Sequence, residues 1–354
     1  MALFDHIFLG SGLAAHLKAL RLVRKKKGLK LLFLDQKDPT KLSHSWCYWQ
    51  KSAHIPEHLV ERKWNKMTIA FQDIKTNVDI HMCPYQLVMS HSYLKHIQQE
   101  LKKKGRCCFS FSEPVCQVKG NDVETTKRNY FGRCVWDSRL RLDEFEPNTL
   151  MQDFLECKVR VGKPIWDPEK VTLMDFIPFK GGVYFLYLLP LDTQTAFVTP
   201  TAFTLTPLTV ECHKNLMIKY LTERYSLHCD DITIERSIRA QIPMGFLSHP
   251  STKIGLAGGQ VRASTGYTFW HHLRELDMGN FAPNKKWDQW MDRLFLNLIK
   301  ERPSMMPQLF VRLFQRCPPE SLIRFLQGDG SILDRLQVMK ALPKTPFLKQ
   351  VIRW

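Results

Sequence analysis

The sequence predicts an α/β chain: a three-layer Rossmann-like domain built from discontinuous segments, an antiparallel β-sheet inserted into it, and a helical carboxyl-terminal part. Three observations predict it. An apolar run over residues 4–9 meets Gly10-Ser11-Gly12 and a helix-periodic stretch. Aromatic and β-branched residues at strand spacing crowd residues 153–203. From Lys285 onward the pattern turns helical and basic.

The first apolar strand runs into a turn suited to phosphate. Gly10 and Gly12 permit the tight turn and let a pyrophosphate approach the backbone at a helix N-terminus, where free N–H groups and the dipole favour an anion. Ala15 takes the third glycine position, which tolerates it. The helix is expected over residues 13–27, with Leu17, Leu20 and Val23 turned inward, stopping at Gly28. A second apolar strand ends in Asp35, about 20 residues past the glycines, where a carboxylate accepts hydrogen bonds from an adenosine ribose. With strand, helix and acid all in place, the segment reads as a dinucleotide cradle.

At 354 residues and 44% hydrophobic, the chain can bury a large core and is long enough for two domains. No secretory signal precedes the first strand and no run of about 20 apolar residues occurs, so a soluble or peripheral protein is expected. The ten cysteines form no CxxC pair and no zinc-like spacing with histidine, which predicts reduced thiols, a cytoplasmic setting and no metal site. Cys107 and Cys108 fall in a predicted strand.

A formal net charge of +17 attracts phosphates of nucleic acid or of an anionic membrane. Part of the excess is structural. Lys25-Lys26-Lys27 before Gly28 and Lys102-Lys103-Lys104 before Gly105 read as helix C-termini, where cations complement the dipole and glycine supplies a left-handed cap. No nucleic-acid module and no aromatic-plus-basic stripe is present, so the expected partner is an anionic membrane surface and not nucleic acid.

Along the chain, Ser43-His44-Ser45-Trp46-Cys47-Tyr48-Trp49 lacks a helical or strand period and is expected as a loop lining a pocket. Strands are expected over 64–71 and 78–89, then a helix over 90–104 with Ser90 as N-cap. Further strands, 107–111 and 115–118, lead to an apolar one ending in Asp137-Ser138-Arg139. Beyond a glycine turn at Gly181-Gly182, strands are expected over 183–189 and 195–198, a helix over 208–225 and a strand near 232–234. A second glycine-rich turn, Gly255-Leu256-Ala257-Gly258-Gly259, precedes Ser264-Thr265-Gly266-Tyr267 and reads as a helix start giving the same cofactor another backbone contact. Trp287, Trp290, Leu294, Phe295 and Leu298 share one helical face, and prolines at 303, 307, 318, 319, 343 and 346 divide the end into short helices.

These segments, in this order, resemble one family, the flavin-dependent lycopene cyclases of bacterial carotenoid biosynthesis. The likeness runs from the GxGLA turn through His44-Ser45-Trp46, Val135-Trp136-Asp137-Ser138-Arg139, Met174-Asp175 and Ile242-Pro243-Met244 to the second glycine turn and Thr265-Gly266-Tyr267. Leu322-Ile323-Arg324-Phe325-Leu326 and Leu342-Pro343-Lys344-Thr345-Pro346-Phe347 resemble the family's helical end. The resemblance implies an FAD/NAD(P)-binding domain over 1–62, 91–140 and 251–283, a substrate domain over 63–90 and 141–250, and a helical region over 284–354. It adds Asp137, Arg139, Gly258, Gly259, Thr265 and Gly266 to Gly10, Gly12, Ala15 and Asp35 as cofactor-binding residues, for FAD reduced by NAD(P)H. It also implies a peripheral protein on the inner face of the membrane, acting on an apolar polyene with no net redox change. An end of lycopene is protonated, the carbocation closes a ring, and a proton is lost to give a β-ionone end. Oligomeric state is left open.

The chain departs from that family where acids are expected. Aligned on Leu189-Pro190-Leu191, the family's glutamate is Thr199 here, and Arg236-Ser237-Ile238-Arg239-Ala240 replaces a stretch with further acids. A threonine hydroxyl is no Brønsted acid near neutral pH. Asp175, between apolar residues 171–174 and 176–179, is therefore the expected catalytic acid, its pKa raised by burial. The same burial fits a carboxylate that anchors the sheet. Glu235 is a poorer candidate, because a one-residue displacement on a strand turns a side chain to the opposite face. Three readings follow: a cyclase with a displaced acid, a flavin-dependent oxidoreductase or hydroxylase on another apolar substrate, or a non-catalytic flavin- or lipid-binding relative.

Overall fold

A computed structural model describes residues 2–49, 55–278 and 286–351. In chain order the strands are β1 (Ala2–Leu9), β2 (Lys30–Leu34), β3 (Ser45–Trp49), β4 (Val60–Trp64), β5 (Lys66–Phe71), β6 (Ile74–Asp79), β7 (Tyr85–Met89), β8 (Arg106–Ser110), β9 (Val115–Lys119), β10 (Asp122–Thr125), β11 (Asn129–Asp137), β12 (Leu150–Val161), β13 (Lys170–Ile177), β14 (Gly182–Pro190), β15 (Thr195–Thr204) and β16 (Ile232–Met244). The helices are α1 (Leu13–Lys25), α2 (Ser90–Lys104), α3 (Val210–Tyr225), α4 (Phe269–Met278), α5 (Lys286–Glu301), α6 (Met306–Arg316), α7 (Pro319–Leu326), α8 (Ile332–Ala341) and α9 (Lys344–Val351).

Six strands in the order β8-β2-β1-β11-β10-β9 form the Rossmann-like sheet; the first four are parallel and the last three an antiparallel meander. Its two faces are apolar for different reasons. Phe8, Phe33 and Phe109 stack across β1, β2 and β8 with ring centroids 4.7 Å apart, beneath Leu17, Leu20 and Val23 of α1. Ile7 and Leu9 point the other way, toward Val123 and Tyr130 of the meander. Alternation along β1 thus buries both faces, as parallel strands require.

A second sheet has the order β16-β12-β15-β14-β13-β5-β6. It is antiparallel apart from one parallel pair, β13 with β5, because β5 enters from an earlier segment of the chain. One face is covered by α3 through Met217, Tyr220 and Leu221. The other faces α5 and α6, which contribute Leu298, Phe310 and Leu313 to the largest core cluster. A small sheet, β3-β7-β4, straddles the expected boundary at residue 62 and joins the two.

Several local expectations are corrected. Residues 45–49 form a strand and not a loop, because β7, buried at every position, supplies a partner ladder. Ser90 does not cap α2; its hydroxyl donates to the Leu42 carbonyl at 3.1 Å and accepts the His44 N–H at 2.9 Å, tying the helix start to the segment before β3. Gly28 is left-handed, but Gly105 is extended, so only the first lysine run ends on a left-handed glycine. The turn at residues 255–258 is a 3-10 turn and starts no long helix. Trp287 is exposed, and Leu294, Leu296, Leu298 and Ile299 are the buried apolar residues of α5. β15 continues through Pro200, and β16 through Pro243, where the sequence suggested shorter strands.

Candidate active site

The cradle forms where β1 and β11 end side by side. Leu9 lies opposite Asp137, and both the Ser138 N–H and the Ser138 hydroxyl donate to the Leu9 carbonyl at 2.8 Å. Gly10 has φ +89°, and a Cβ there would collide with the Ser138 hydroxyl, so glycine is required by both conformation and space. Gly12 differs. A Cβ on it would meet nothing within 4 Å, which leaves open space in front of the α1 N-terminus. Ser11, between them, donates its N–H to Asp35 at 2.7 Å, while its buried Oγ has no partner. An unsatisfied buried hydroxyl at a glycine turn fits an anionic ligand oxygen.

Ala15 is fully buried under the sheet core, where a larger residue would separate α1 from β1. His16 steadies the turn. It is fully buried, with Nδ1 3.0 Å from the Gly12 carbonyl and Nε2 3.2 Å from Gln98 Nε2, an arrangement that satisfies the neutral ring. Burial pushes its pKa down to about 4 despite the Gly12 hydrogen bond.

Arg139 forks onto Asp137 with two 2.9 Å contacts and donates its backbone N–H to the same carboxylate. Burial pulls the Asp137 carboxyl up, but these hydrogen bonds outweigh it and hold it below the usual range. The Asp137 carbonyl accepts the Ile254 N–H at 2.9 Å, which brings the second glycine turn, with Gly258 and Gly259, against the first. Thr265 and Gly266 follow it into the wall of a neighbouring cavity.

That cavity has a volume of about 500 Å³ and lies between the seven-stranded sheet, β3 and the carboxyl-terminal helices. Its wall is aromatic and aliphatic, from Trp46 and Trp49 through Phe185 and Phe310 to Val338 and Phe347. Polar wall groups are mostly neutral. Burial pushes the Cys47 thiol up to about 12, and the Tyr187 hydroxyl donates to Tyr85 at 2.9 Å, both phenols held well above their ordinary pKa by burial.

Two carboxylates line it among the described residues: Glu156 and Asp292. Asp292, nearly fully buried on α5, accepts Arg262 Nε at 2.9 Å and the Ser264 hydroxyl at 2.8 Å. Burial pulls its carboxyl up and the Arg262 guanidinium opposes this. Glu156 projects from β12 on the same side as Gln152 and Phe154. Its Oε2 accepts the Ser45 N–H at 3.0 Å and the Ser45 hydroxyl, and its Oε1 accepts Arg236 at 3.2 Å.

Asp175 is not in this wall. Register shifts between Thr172 and Asp175 break the alternation of β13, so that Leu173 and Met174 both face the cavity and Asp175 turns to the α3 side. There it accepts the Tyr220 hydroxyl at 2.7 Å and lies 3.5 Å from Arg224 Nε. The geometry favours the anchoring role for Asp175. Glu235 lies outside the wall too, paired with Lys158 and Arg160 at 2.9 Å each. Arg239, in the stretch where acids were expected, bonds the buried Asp153 at 3.2 Å.

Sequence reasoning missed Glu156, Asp292 and the Ser11 hydroxyl. A signal for the first existed: Gln152, Phe154 and Glu156 share strand parity, which puts this carboxylate on the same face as Phe154.

A family model described as "Lycopene cyclase protein" matches residues 5–351. The lycopene beta-cyclase of Pantoea ananas is 21% identical, over 98% of this chain and 96% of the relative. Among solved structures, a geranylgeranyl bacteriochlorophyll reductase-like protein from Thermoplasma acidophilum superposes with TM-score 0.57 at 11% identity, covering 96% of each chain. A probable FAD-dependent monooxygenase from Pseudomonas aeruginosa gives 0.55 at 12% identity, over 96% of this chain and 99% of the other. The fold is therefore that of Rossmann-type flavin monooxygenases and reductases, and, by the match over residues 5–351, the chain belongs to the lycopene cyclase family.

Proposed function

We propose that the protein is a flavin-dependent cyclase that closes a ring at the end of a linear carotenoid such as lycopene, an isomerisation with no net redox change. The strongest support is the aromatic cavity, whose wall holds Thr265 and Gly266 from the cofactor side and carboxyl-terminal helices on the other. A polyene is long and apolar, and a carbocation formed from it survives only where water is excluded. The wall meets both needs. Its aromatic faces also stabilise positive charge.

FAD would be held by Gly10, Gly12 and the unpartnered Ser11 hydroxyl at its pyrophosphate, by Asp35 at its ribose, and by the paired turns carrying Asp137, Arg139, Gly258 and Gly259. Bound there and reduced by NAD(P)H, the flavin would supply an electron-rich ring that favours positive charge. The residues of the chain shape the space: β3, the 264–268 segment and α5 to α9 all contribute side chains to the wall.

A membrane is the natural source of such a substrate. Among the described residues no helix is long and apolar enough to cross one. However, α8 lines the cavity with Val338 while exposing Ile332, Leu333, Leu336 and Met339, beside the exposed Lys340, on its outer side. An apolar stripe with a cation suits insertion at an anionic bilayer surface, and the proposed location is the inner face of the membrane. Supplying lycopene to the purified, flavin-reduced protein tests this function: a β-ionone-ended product supports it. Substrate-stimulated NADPH oxidation without ring formation would favour a monooxygenase-like activity instead.

A further inference from the structure

We propose that Glu156 is the carboxyl group that gives and takes the proton in ring closure, standing across one strand pair from the Thr199 position where the family's acid is absent. The inference rests on the cyclase reading above. β12 and β15 pair with Phe154 opposite Thr201 and Cys157 opposite Val198, which sets Glu156 opposite Thr199. Both side chains line the cavity. Directly opposite residues on one face have Cβ atoms about 5 Å apart, so a carboxyl moved from one strand to the other stays within reach of the same substrate carbon.

The sheet is locally adapted here. Pro200 brings no N–H to the ladder, and next to it the Thr201 hydroxyl donates to the Thr199 carbonyl at 3.1 Å. Glu156 itself is held by Ser45 and Arg236: its Oε1 accepts the Ser45 N–H at 3.3 Å as well as Arg236, and its Oε2 accepts the Ser45 N–H and hydroxyl. Arg236 contacts Oε1 through Nη2 alone, its buried Nε having no partner, so the pair is not a bidentate fork. Asp292, the other carboxylate of the wall, is bound through both oxygens by Arg262, which also donates to the Phe325 carbonyl at 3.0 Å. That buried ion pair ties α5 to α7. Burial drives the His44 ring at the same end toward its neutral form, so it brings no proton of its own.

The step balances. The carboxylic acid proton adds to the terminal C=C, forming a C–H bond and a tertiary cation. The next C=C attacks that cation, making the ring C–C bond and moving the charge into the ring. A neighbouring C–H bond then breaks, its electron pair becoming the ring C=C and its proton returning to the Glu156 carboxylate. No oxidant or reductant is consumed, and the carboxylate lies beside the cation while it exists.

Three readouts on reconstituted protein test the assignment: flavin content, carotenoid binding by its visible absorption, and ring formation. Glu156→Gln should keep the first two and lose ring formation by at least about 100-fold. Glu156→Gln combined with Thr199→Glu should regain at least about tenfold, because the carboxyl returns to the cavity from the opposite strand. Ring formation by Glu156→Gln close to that of the wild type overturns the proposal. So does joint loss of flavin, carotenoid binding and ring formation, which would mark Glu156 as a structural tie for Ser45 and Arg236. No recovery in the double variant would overturn the equivalence of the two positions. Should the wild type bind lycopene and close no ring, the cyclase reading is what fails, and this assignment falls with it.

Discussion

The Tyr220 hydroxyl donates to Asp175 at 2.7 Å on the face of the sheet that α3 covers, away from the cavity. Arg224, from the same helix, adds a second contact. Asp175 therefore anchors α3. Asp175→Asn should leave ring formation and flavin content unchanged while lowering stability by about 1–2 kcal/mol, read as a lower urea midpoint at unchanged slope. A well-folded Asp175→Asn protein without ring formation would return Asp175 to the chemistry.

Gly10 and Gly12 should respond differently to substitution. Gly10→Ala meets both a left-handed backbone and the Ser138 hydroxyl, so it should damage the fold itself. Gly12→Val meets open space, and should melt close to the wild type yet bind no flavin. Visible flavin absorbance after purification and thermal unfolding report the two effects separately. Full flavin occupancy in Gly12→Val would place the cofactor elsewhere.

Acid should weaken the cradle through His16. Its folded pKa, about 4, lies below the unfolded value, so the unfolded chain takes up the proton first. Stability from this residue is complete above about pH 6.5 and is lost as pH falls from there toward the folded pKa. The urea midpoint should thus be lower at about pH 5 than at about pH 7.5, and His16→Gln should flatten that slope. An unchanged slope in His16→Gln would assign the acid sensitivity to other groups.

On α8, Leu333→Glu and Leu336→Glu should abolish flotation with anionic vesicles while leaving thermal stability intact, since both side chains are exposed. Burying an aliphatic side chain contributes about 1.5–3 kcal/mol, against about 1 kcal/mol for a nearby cation, so the apolar stripe outweighs Lys340. High salt should therefore weaken flotation without ending it. Equal flotation of the variants would remove α8 from the membrane contact.

The strand-turn-helix-strand unit was legible because its geometry is local. Gly10 and Gly12 follow β1, Asp35 follows β2, and the Ser11 N–H ties the turn to that carboxylate. The acid was not legible, for two physical reasons. A register shift in β13 reversed the side to which Asp175 points, and apolar neighbours on both sides say nothing about which face of a sheet is the cavity. Glu156 came into view only through cross-strand register with Thr199, a relationship between distant segments that no single stretch contains. The strand at 45–49 was hidden likewise, because its edges become regular only against β7.

The most direct measurement is an anaerobic one: lycopene supplied to the protein carrying fully reduced flavin, with products and flavin redox state followed together. The account predicts a ring-ended isomer of the same mass as the substrate, formed over many turnovers while the flavin stays reduced. Flavin oxidised in step with substrate consumed, or lycopene recovered unchanged from protein that binds it, would contradict it.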